Sequence, residues 1–484
     1  MIALSVKIYA MTKTFFIFPI LTACWLAILF SCREGNYIKP ENAPTAATST
    51  GNPAKNYQVY CAGCHGAKMD DFVGRDWKHG NSVNDLVRGI KHGYPDEGMP
   101  GFAEAFSNEE IGELAQYLLE GSKNPETISS DKASGDNIFK SDKLTFRLDT
   151  VTTGLDVPWG MAFLPDGALL VTERSGKLYR IKHRKNIEIT GVPEVMAQGQ
   201  GGLLDVALHP DFEQNRLVYL SYSKPKGRQA TTAVMRARLE GDKLTGQKVI
   251  FEALPYASTR HHYGSRLVFS KNNQLFISVG ERGNEDENPQ NKDNDLGKIH
   301  RINDDGSIPA DNPIKDKDGK PSSLYSYGNR NPQGMTIHPG TGELWETEHG
   351  PRGGDEINII KPGKNYGWPV TTYGINYNGT TITDKRTAPG IEPPIHYWTP
   401  SIGPSGTAFV TGDRYKPWKG ALLVGSLPFG YLSLSYLDGT KITREEKLLE
   451  DIGRVRDVRM GPDGYIYVAV EDSDGSIFRL VPVN

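Results

Sequence analysis

From residue 144 onward, short apolar stretches alternate with polar turns in a phrase that recurs six times. Trp159-Gly160-Met161-Ala162-Phe163 runs through Leu164-Pro165-Asp166-Gly167 into Ala168-Leu169-Leu170-Val171-Thr172. Val206-Ala207-Leu208, with His209-Pro210-Asp211, leads to Leu217-Val218-Tyr219-Leu220. Leu267-Val268-Phe269, with Asn272-Asn273, leads to Leu275-Phe276-Ile277. Met335-Thr336-Ile337, with His338-Pro339, leads to Leu344-Trp345, and Thr407-Ala408-Phe409, with Gly412-Asp413, leads to Leu422-Leu423-Val424. Val458-Arg459-Met460, with Pro462-Asp463-Gly464, leads to Tyr465-Ile466-Tyr467-Val468. Each copy is a strand, a Pro/Asp/Gly turn and a second strand. Copies at irregular intervals of roughly 45 to 75 residues predict blades with long insertions. The fold expected for residues 144–484 is an all-β six-bladed β-propeller. A β-helix or a pair of sandwiches would not show this recurrence.

The pattern ahead of it is helical. Ser107-Asn108-Glu109-Glu110 is a capping box, and Ile111, Leu114, Ala115, Leu118 and Leu119 follow at helical spacing. They belong to a small all-α domain over residues 52–122, with a polar linker over 123–143. Further upstream, Lys13 precedes an apolar run from Phe15 to Phe30. The run is shorter than the ~20 residues of a membrane span and contains Pro19 and Thr22, so a secretory signal fits better than a transmembrane anchor. Met11-Thr12-Lys13 makes a better start than Met1. Leu29-Phe30-Ser31-Cys32 resembles a bacterial lipobox, which implies a signal peptide over 1–31 and lipidation of Cys32. Residues 32–51 then form a flexible tether. The expectation is an exported chain, lipid-anchored in the periplasm or cell envelope of a Gram-negative bacterium.

Composition agrees and excludes. The 484 residues carry 55 basic and 58 acidic side chains, a net charge of −3, so nucleic acid is not an expected partner. Only 37% of residues are hydrophobic, which excludes a multi-span membrane protein. The 53 glycines and 31 prolines suit many turns between short strands. Four cysteines are too few for a disulfide scaffold.

Two of those cysteines lie in Cys61-Ala62-Gly63-Cys64-His65, the C-x-x-C-H signature of covalent haem c attachment. Cys61 and Cys64 would form the thioethers, and His65 would ligate the iron. A zinc knuckle would need a second ligand pair, and a thioredoxin-like redox site would need βαβ surroundings. Gly98-Met99-Pro100-Gly101-Phe102 resembles the methionine loop of class I cytochromes c, which makes Met99 the second iron ligand. His92 is the alternative.

In a propeller, chemistry collects where loops between repeats meet at one mouth. Gln200-Gly201-Gly202 precedes the second repeat, His262-Tyr263-Gly264-Ser265-Arg266 enters the third, and Glu281-Arg282-Gly283-Asn284 follows it. Gly328-Asn329-Arg330-Asn331-Pro332-Gln333-Gly334 precedes the fourth. Glu348-His349-Gly350-Pro351-Arg352-Gly353-Gly354-Asp355-Glu356-Ile357-Asn358 and Asn365-Tyr366-Gly367-Trp368-Pro369 follow it, and Arg454-Val455-Arg456-Asp457 enters the sixth. This ordered set resembles the glucose/sorbosone dehydrogenase family, whose aldose sugar dehydrogenases use pyrroloquinoline quinone (PQQ). The resemblance covers residues 145–484, and the GNRNPQG and HGPxGGDEIN runs are its specific parts.

The resemblance implies a quinoprotein oxidoreductase. It oxidises an aldose at the anomeric carbon and passes electrons to the fused haem and then to an external acceptor. His262 falls at the general base, Glu281 at the carboxylate that orients it, and Arg330 at the arginine facing the quinone oxygen. Gln200, His262, Arg330, Asn331, Arg454 and Arg456 fall at PQQ contacts, and Asp355 falls near the sugar. Gly350 and Pro351 fall at carbonyls of a calcium ion beside PQQ, and Glu356 and Tyr366 at a second calcium. One position departs: after Gly425-Ser426-Leu427, where the family carries a lysine, this chain has Pro428. The alternatives are another substrate, such as sorbosone or an oligosaccharide, and a non-catalytic propeller beside an electron-transfer cytochrome.

Overall fold

The computed structural model describes residues 49–66, 69, 72, 77–123 and 137–483. The signal run, Cys32, most of the tether and residues 124–136 of the linker lie outside the described residues.

Among the described residues the α domain has four α-helices: α1 (Pro53–Tyr60), α2 (Ala62–His65), α3 (Val83–His92) and α4 (Asn108–Ser122). The capping box of α4 forms as read, with the Ser107 hydroxyl accepting from the Glu110 backbone and the Glu110 carboxylate accepting from the Ser107 backbone. Ile111, Leu114, Ala115 and Leu118 then face inward and pack with Tyr57, Tyr60, Leu86, Ile90, Phe102 and Phe106.

The rest is a six-bladed β-propeller of five four-stranded sheets and one five-stranded sheet. The recurring phrases are the two innermost strands of each blade. The inner strands are Pro158–Phe163, Leu203–Leu208, Leu267–Phe269, Pro332–Ile337, Pro404–Phe409 and Arg454–Met460. Apolar faces of successive blades bury one another, as Leu170, Leu178, Val206, Leu220 and Met235 do between the first two.

The ring is closed by a strand that carries no phrase. Thr145–Leu155 pairs antiparallel with the C-terminal strand Gly475–Pro482, from Phe146 opposite Pro482 to Leu155 opposite Gly475. The short strand Ile138–Lys140 adds an edge to that sheet. The last blade is therefore built from both ends of the domain, which ties the ring shut.

Candidate active site at the propeller mouth

Each inner strand runs antiparallel to its neighbour, so the residue entering the first and the residue leaving the second lie at the same end of a blade. That geometry draws the singled-out loops together, and a continuous chain of hydrogen bonds joins them.

His262 occupies a left-handed backbone conformation, φ 55°, uncommon for a non-glycine residue. Its environment holds it there. The Gln200 side-chain oxygen accepts the His262 backbone N–H at 2.7 Å, so this amide positions the histidine backbone. The buried Glu281 carboxylate makes a short contact with His262 Nδ1. With Nδ1–H donating to Glu281, Nε2 is the free lone pair. Burial, reinforced by Arg330 and Arg282, keeps the His262 pKa well below its ordinary value, and burial pushes that of Glu281 up. The imidazole is therefore a neutral base, 12% exposed toward the mouth. Gly280 lies so close beneath it that a Cβ there would stand 2.2 Å from the His262 carbonyl oxygen, so only glycine fits.

Arg282 carried no role in the sequence reading, yet it stitches this loop. Its buried guanidinium donates to the His261 and Ala230 carbonyls at 2.9 Å and to the Thr259 carbonyl, and lies 3.6 Å over the Tyr263 ring. Its position one residue after Glu281 was the available signal.

Arg330 is almost fully buried. Its Nη1 donates to the His349 and Gly350 carbonyls at 3.2 and 2.8 Å, while its Nε has no acceptor among the described residues. Burial works against its charge, but Tyr377, Glu281 and Glu285 outweigh it and raise the pKa. Asn331 accepts from the Gly264 backbone at 3.1 Å and from Gln333 at 3.2 Å, tying its loop to that of His262. The Pro351 carbonyl accepts from the Ser401 hydroxyl at 3.0 Å. Asp355, expected near the sugar, is buried. Its oxygens accept from the backbone N–H of Gly350 (2.8 Å), Ile402 and Gly403 (2.7 Å each). In this arrangement it shapes the loop that presents the Gly350 and Pro351 carbonyls.

Arg454 and Arg456 lie on one side of their strand, as alternation predicted, but they already share a carboxylate. Glu471 accepts from Arg454 Nε at 2.7 Å and Arg456 Nε at 2.5 Å. Burial works against its charge, but Arg456 and Arg454 hold its carboxyl far below the usual range, and Arg174 lies close enough to add to their effect. Three guanidiniums thus act on one buried carboxylate. Pro428 adds no charge: it is buried, with its ring against Gly403.

Near the calcium positions, Glu346, Glu348 and Glu356 are buried and converge on one amide nitrogen. Asn358 Nδ2 donates to them at 3.2, 3.3 and 3.2 Å. Burial pushes all three carboxyls up, and each is a near neighbour of another. No His, Cys, Asp or Glu trio among the described residues forms a ready chelate; this one meets on an amide instead. The Tyr366 phenol is engaged by the Ile359 carbonyl and the Lys361 N–H at 2.7 Å each, so only its carbonyl could ligate. Glu348 opened a run singled out in the sequence but carried no role, and Glu346 was missed because it is one more position of an ordinary strand, Leu344–Glu348.

In the α domain, His65 ends α2 with its ring 4.8 Å from that of Phe72. Cys61 is half-buried, and the Cys64 side chain lies outside the described residues. Met99 sits in a tight loop closed by mutual backbone hydrogen bonds with Tyr94, at 2.7 and 3.2 Å. His92 is exposed at the C-terminal end of α3.

Comparison with known proteins agrees with this architecture. The family model for glucose/sorbosone dehydrogenase matches residues 155–479. The model for subunit III of cbb3-type cytochrome c oxidase matches residues 49–118. An aldose sugar dehydrogenase of Escherichia coli is 44% identical over 349 residues, covering 70% of this chain and 94% of that protein. Quinoprotein glucose dehydrogenase B of Acinetobacter calcoaceticus is 27% identical, over 70% of this chain and 88% of its own length. The crystal structure of the E. coli apo aldose sugar dehydrogenase superposes with a TM-score of 0.67 at 42% identity, covering 70% and 100% of the two chains. A PQQ-bound aldose sugar dehydrogenase of Streptomyces coelicolor gives 0.59 at 29% identity, covering 70% and 98%. With its repeats, mouth loops and family match in accord, the chain belongs to the glucose/sorbosone dehydrogenase family and carries a cytochrome c domain ahead of the propeller.

Proposed function

We propose that the propeller oxidises an aldose at its anomeric carbon with PQQ, and that electrons pass through the chain's own haem c to an external one-electron acceptor. The observation that carries this reading is the His262–Glu281 pair beside Arg330, whose buried Nε lacks an acceptor among the described residues. A buried donor without a partner costs free energy unless a ligand supplies the acceptor.

When bound, PQQ supplies the sink for the two electrons removed from the sugar. The chain's residues do the rest. His262 Nε2 takes the proton of the anomeric hydroxyl, and Glu281 holds the ring in the tautomer that allows it. Arg330 presents a fixed positive charge where electron density accumulates, which favours the transition state. Arg454, Arg456 and Arg174 would offer forked guanidiniums to the carboxylates of an anionic cofactor. The Gly350 and Pro351 carbonyls would hold one calcium ion. Glu356, the Tyr366 carbonyl and the two added glutamates would hold another, an oxygen-rich set suited to a hard cation. In the haem domain, Cys61 and Cys64 would carry the porphyrin, with His65 and Met99 on the iron.

Pro428 is the observation that favours a non-catalytic propeller. The gathering of Arg454, Arg456 and Arg174 around Glu471 weighs against it, because clustered guanidiniums suit a multiply anionic ligand. We also propose export and lipidation at Cys32, consistent with covalent haem attachment outside the cytoplasm. The test is reconstitution: apoprotein with PQQ and calcium should gain a bound quinone chromophore and dye-linked sugar oxidation. No bound chromophore at saturating PQQ would overturn the reading.

A further inference from the structure

The cytochrome domain meets the propeller at residues adjacent in sequence to cofactor positions. Gly98, next to Met99, lies against the ring of His261; a Cβ on Gly98 would stand 3.3 Å from its Cβ and Cγ. His261 is itself next to His262, and the two rings meet edge-to-face at 4.6 Å and 88°. The Arg260 N–H donates to the Asp96 carbonyl at 2.7 Å. On the other side of the mouth, Arg352, next to Pro351, lies 4.1 Å over the ring of Tyr60, the residue before Cys61. Tyr377 packs on the cytochrome core and neighbours Arg330. Adjacent residues are 3.8 Å apart along the backbone, so these contacts bring the haem-bearing face onto the mouth.

We propose that His261 is the docking contact through which electrons leave the active site for the haem. The side chain bridges the two machineries: it lies against the methionine loop and its ring packs edge-to-face with that of the proposed base. Its Nδ1 is enclosed without a partner among the described residues. Gly98 adopts φ +90°, and with no side chain it lets the loop come down on the imidazole. This inference rests on the proposed dehydrogenase function. Oxidation of one aldose to its lactone releases two electrons and two protons. Each electron reduces one ferric haem to ferrous. The external acceptor must re-oxidise the haem between them, and the protons go to water.

The experiment compares two rates in the His261→Leu holoenzyme: sugar-driven appearance of ferrous haem in a single turnover, and sugar oxidation read with an artificial dye. The expected result is haem reduction slowed about tenfold or more, as for a misplaced reacting pair, with dye turnover within about twofold. Unchanged haem reduction, or equal loss of both rates, would overturn the proposal. His261→Gln provides a second variant should leucine unsettle the loop. Docking is tested independently of PQQ by Asp96→Cys with Arg260→Cys, whose backbones are close enough for a disulfide. The cross-link should form in the whole chain on mild oxidation, and its absence would also overturn the proposal. If wild-type protein oxidises no sugar at all but the cross-link forms, the functional reading fails while the docking surface stands.

Discussion

Arg266 and Asp205 form an ion pair at 3.1 Å in the interior of the propeller, and neither side chain is more than 1% exposed. The same guanidinium reaches Asp457 at 3.2 Å, and Arg459 closes a ring onto Asp457 and Asp205 at 2.9 and 3.0 Å. Asp457 also accepts from the Met161 N–H at 3.0 Å. Inner strands or entry loops of four blades are thereby joined by two acids and two bases. Removing one partner strands a buried charge, which costs about 3–5 kcal/mol. Asp205→Ala should lower propeller stability by that amount in denaturant unfolding, and Arg266→Met with Asp205→Leu should recover part of it. A cost near zero for Asp205→Ala would show that the ring is not a stabilising unit.

The proposed base can be tested by separating turnover from binding. His262→Ala should lower kcat roughly 10²–10⁴-fold while PQQ remains bound. Glu281→Gln should fall between that variant and wild type, because glutamine can still accept from Nδ1–H but carries no charge to stabilise the protonated ring. A change confined to KM, with kcat intact, would place His262 in substrate binding.

Separability of the two domains predicts a different split. Cys61→Ala with Cys64→Ala should abolish covalent haem and leave the propeller folded, because the cytochrome helices enclose their own core. Sugar oxidation with a dye should persist, and reduction of a physiological acceptor should vanish. If dye activity also disappears, docking of the haem domain is required to complete the sugar site.

How much of this was visible beforehand depends on the range of each interaction. The inner hairpins were legible because their turns are made by neighbouring residues such as Pro165-Asp166-Gly167. The closing strand Thr145–Leu155 was not, because its partner lies at the other end of the domain; Asp149 and Arg479, which pair across it, are 330 positions apart. The family motif singled out His262 and Glu281, which meet in the structure, but the three backbone amides that engage the Asp355 oxygens come from loops remote in sequence or from a turn no motif spells out. The partner of Arg454 and Arg456 was invisible because Glu471 belongs to the neighbouring strand, where it reads as one more polar residue.

The charge at the mouth yields a binding prediction. Pro428 stands where the family resemblance implies a lysine, and a hydrogen bond to a charged group is worth about 1.5–3 kcal/mol, roughly ten- to a hundredfold in Kd. Arg174 offsets part of this if it serves the cofactor. Arg174→Ala should then weaken PQQ binding about tenfold in titrations at fixed calcium. Pro428→Lys should gain little, because the position is buried against Gly403 and a lysine there must first displace packed loop backbone. Tight binding restored by Pro428→Lys alone would show that the proline is the weak point.

Acid should destabilise the propeller through its buried histidines, and the sign follows from where each proton binds. Burial pushes the pKa of His349 down to about 3, with Arg456, Arg330 and His262 adding to the effect; burial and His262 do the same to His261. In the unfolded chain these groups titrate near the ordinary 6.5. Between pH 6.5 and 3 the unfolded chain therefore holds more protons, so stability rises with pH across that window and is lost as pH falls. For His349 the structural reason is specific: Nε2–H donates to the Pro404 carbonyl at 2.8 Å, and Nδ1 faces the Asn331 amide nitrogen at 3.4 Å. A proton on Nδ1 would set donor against donor and disturb the loop that holds Arg330. The raised carboxyls of Glu281 and Asp355 work in the opposite direction, so the wild-type profile alone mixes the two. The clean measurement is the difference between wild type and His349→Gln, which keeps a donor and an acceptor but cannot titrate. Wild type should lose stability relative to the variant by about 1.4 kcal/mol for each pH unit below 6.5, until the folded histidine itself protonates. Parallel profiles from pH 6.5 to 4 would show that His349 takes up its proton without unfolding.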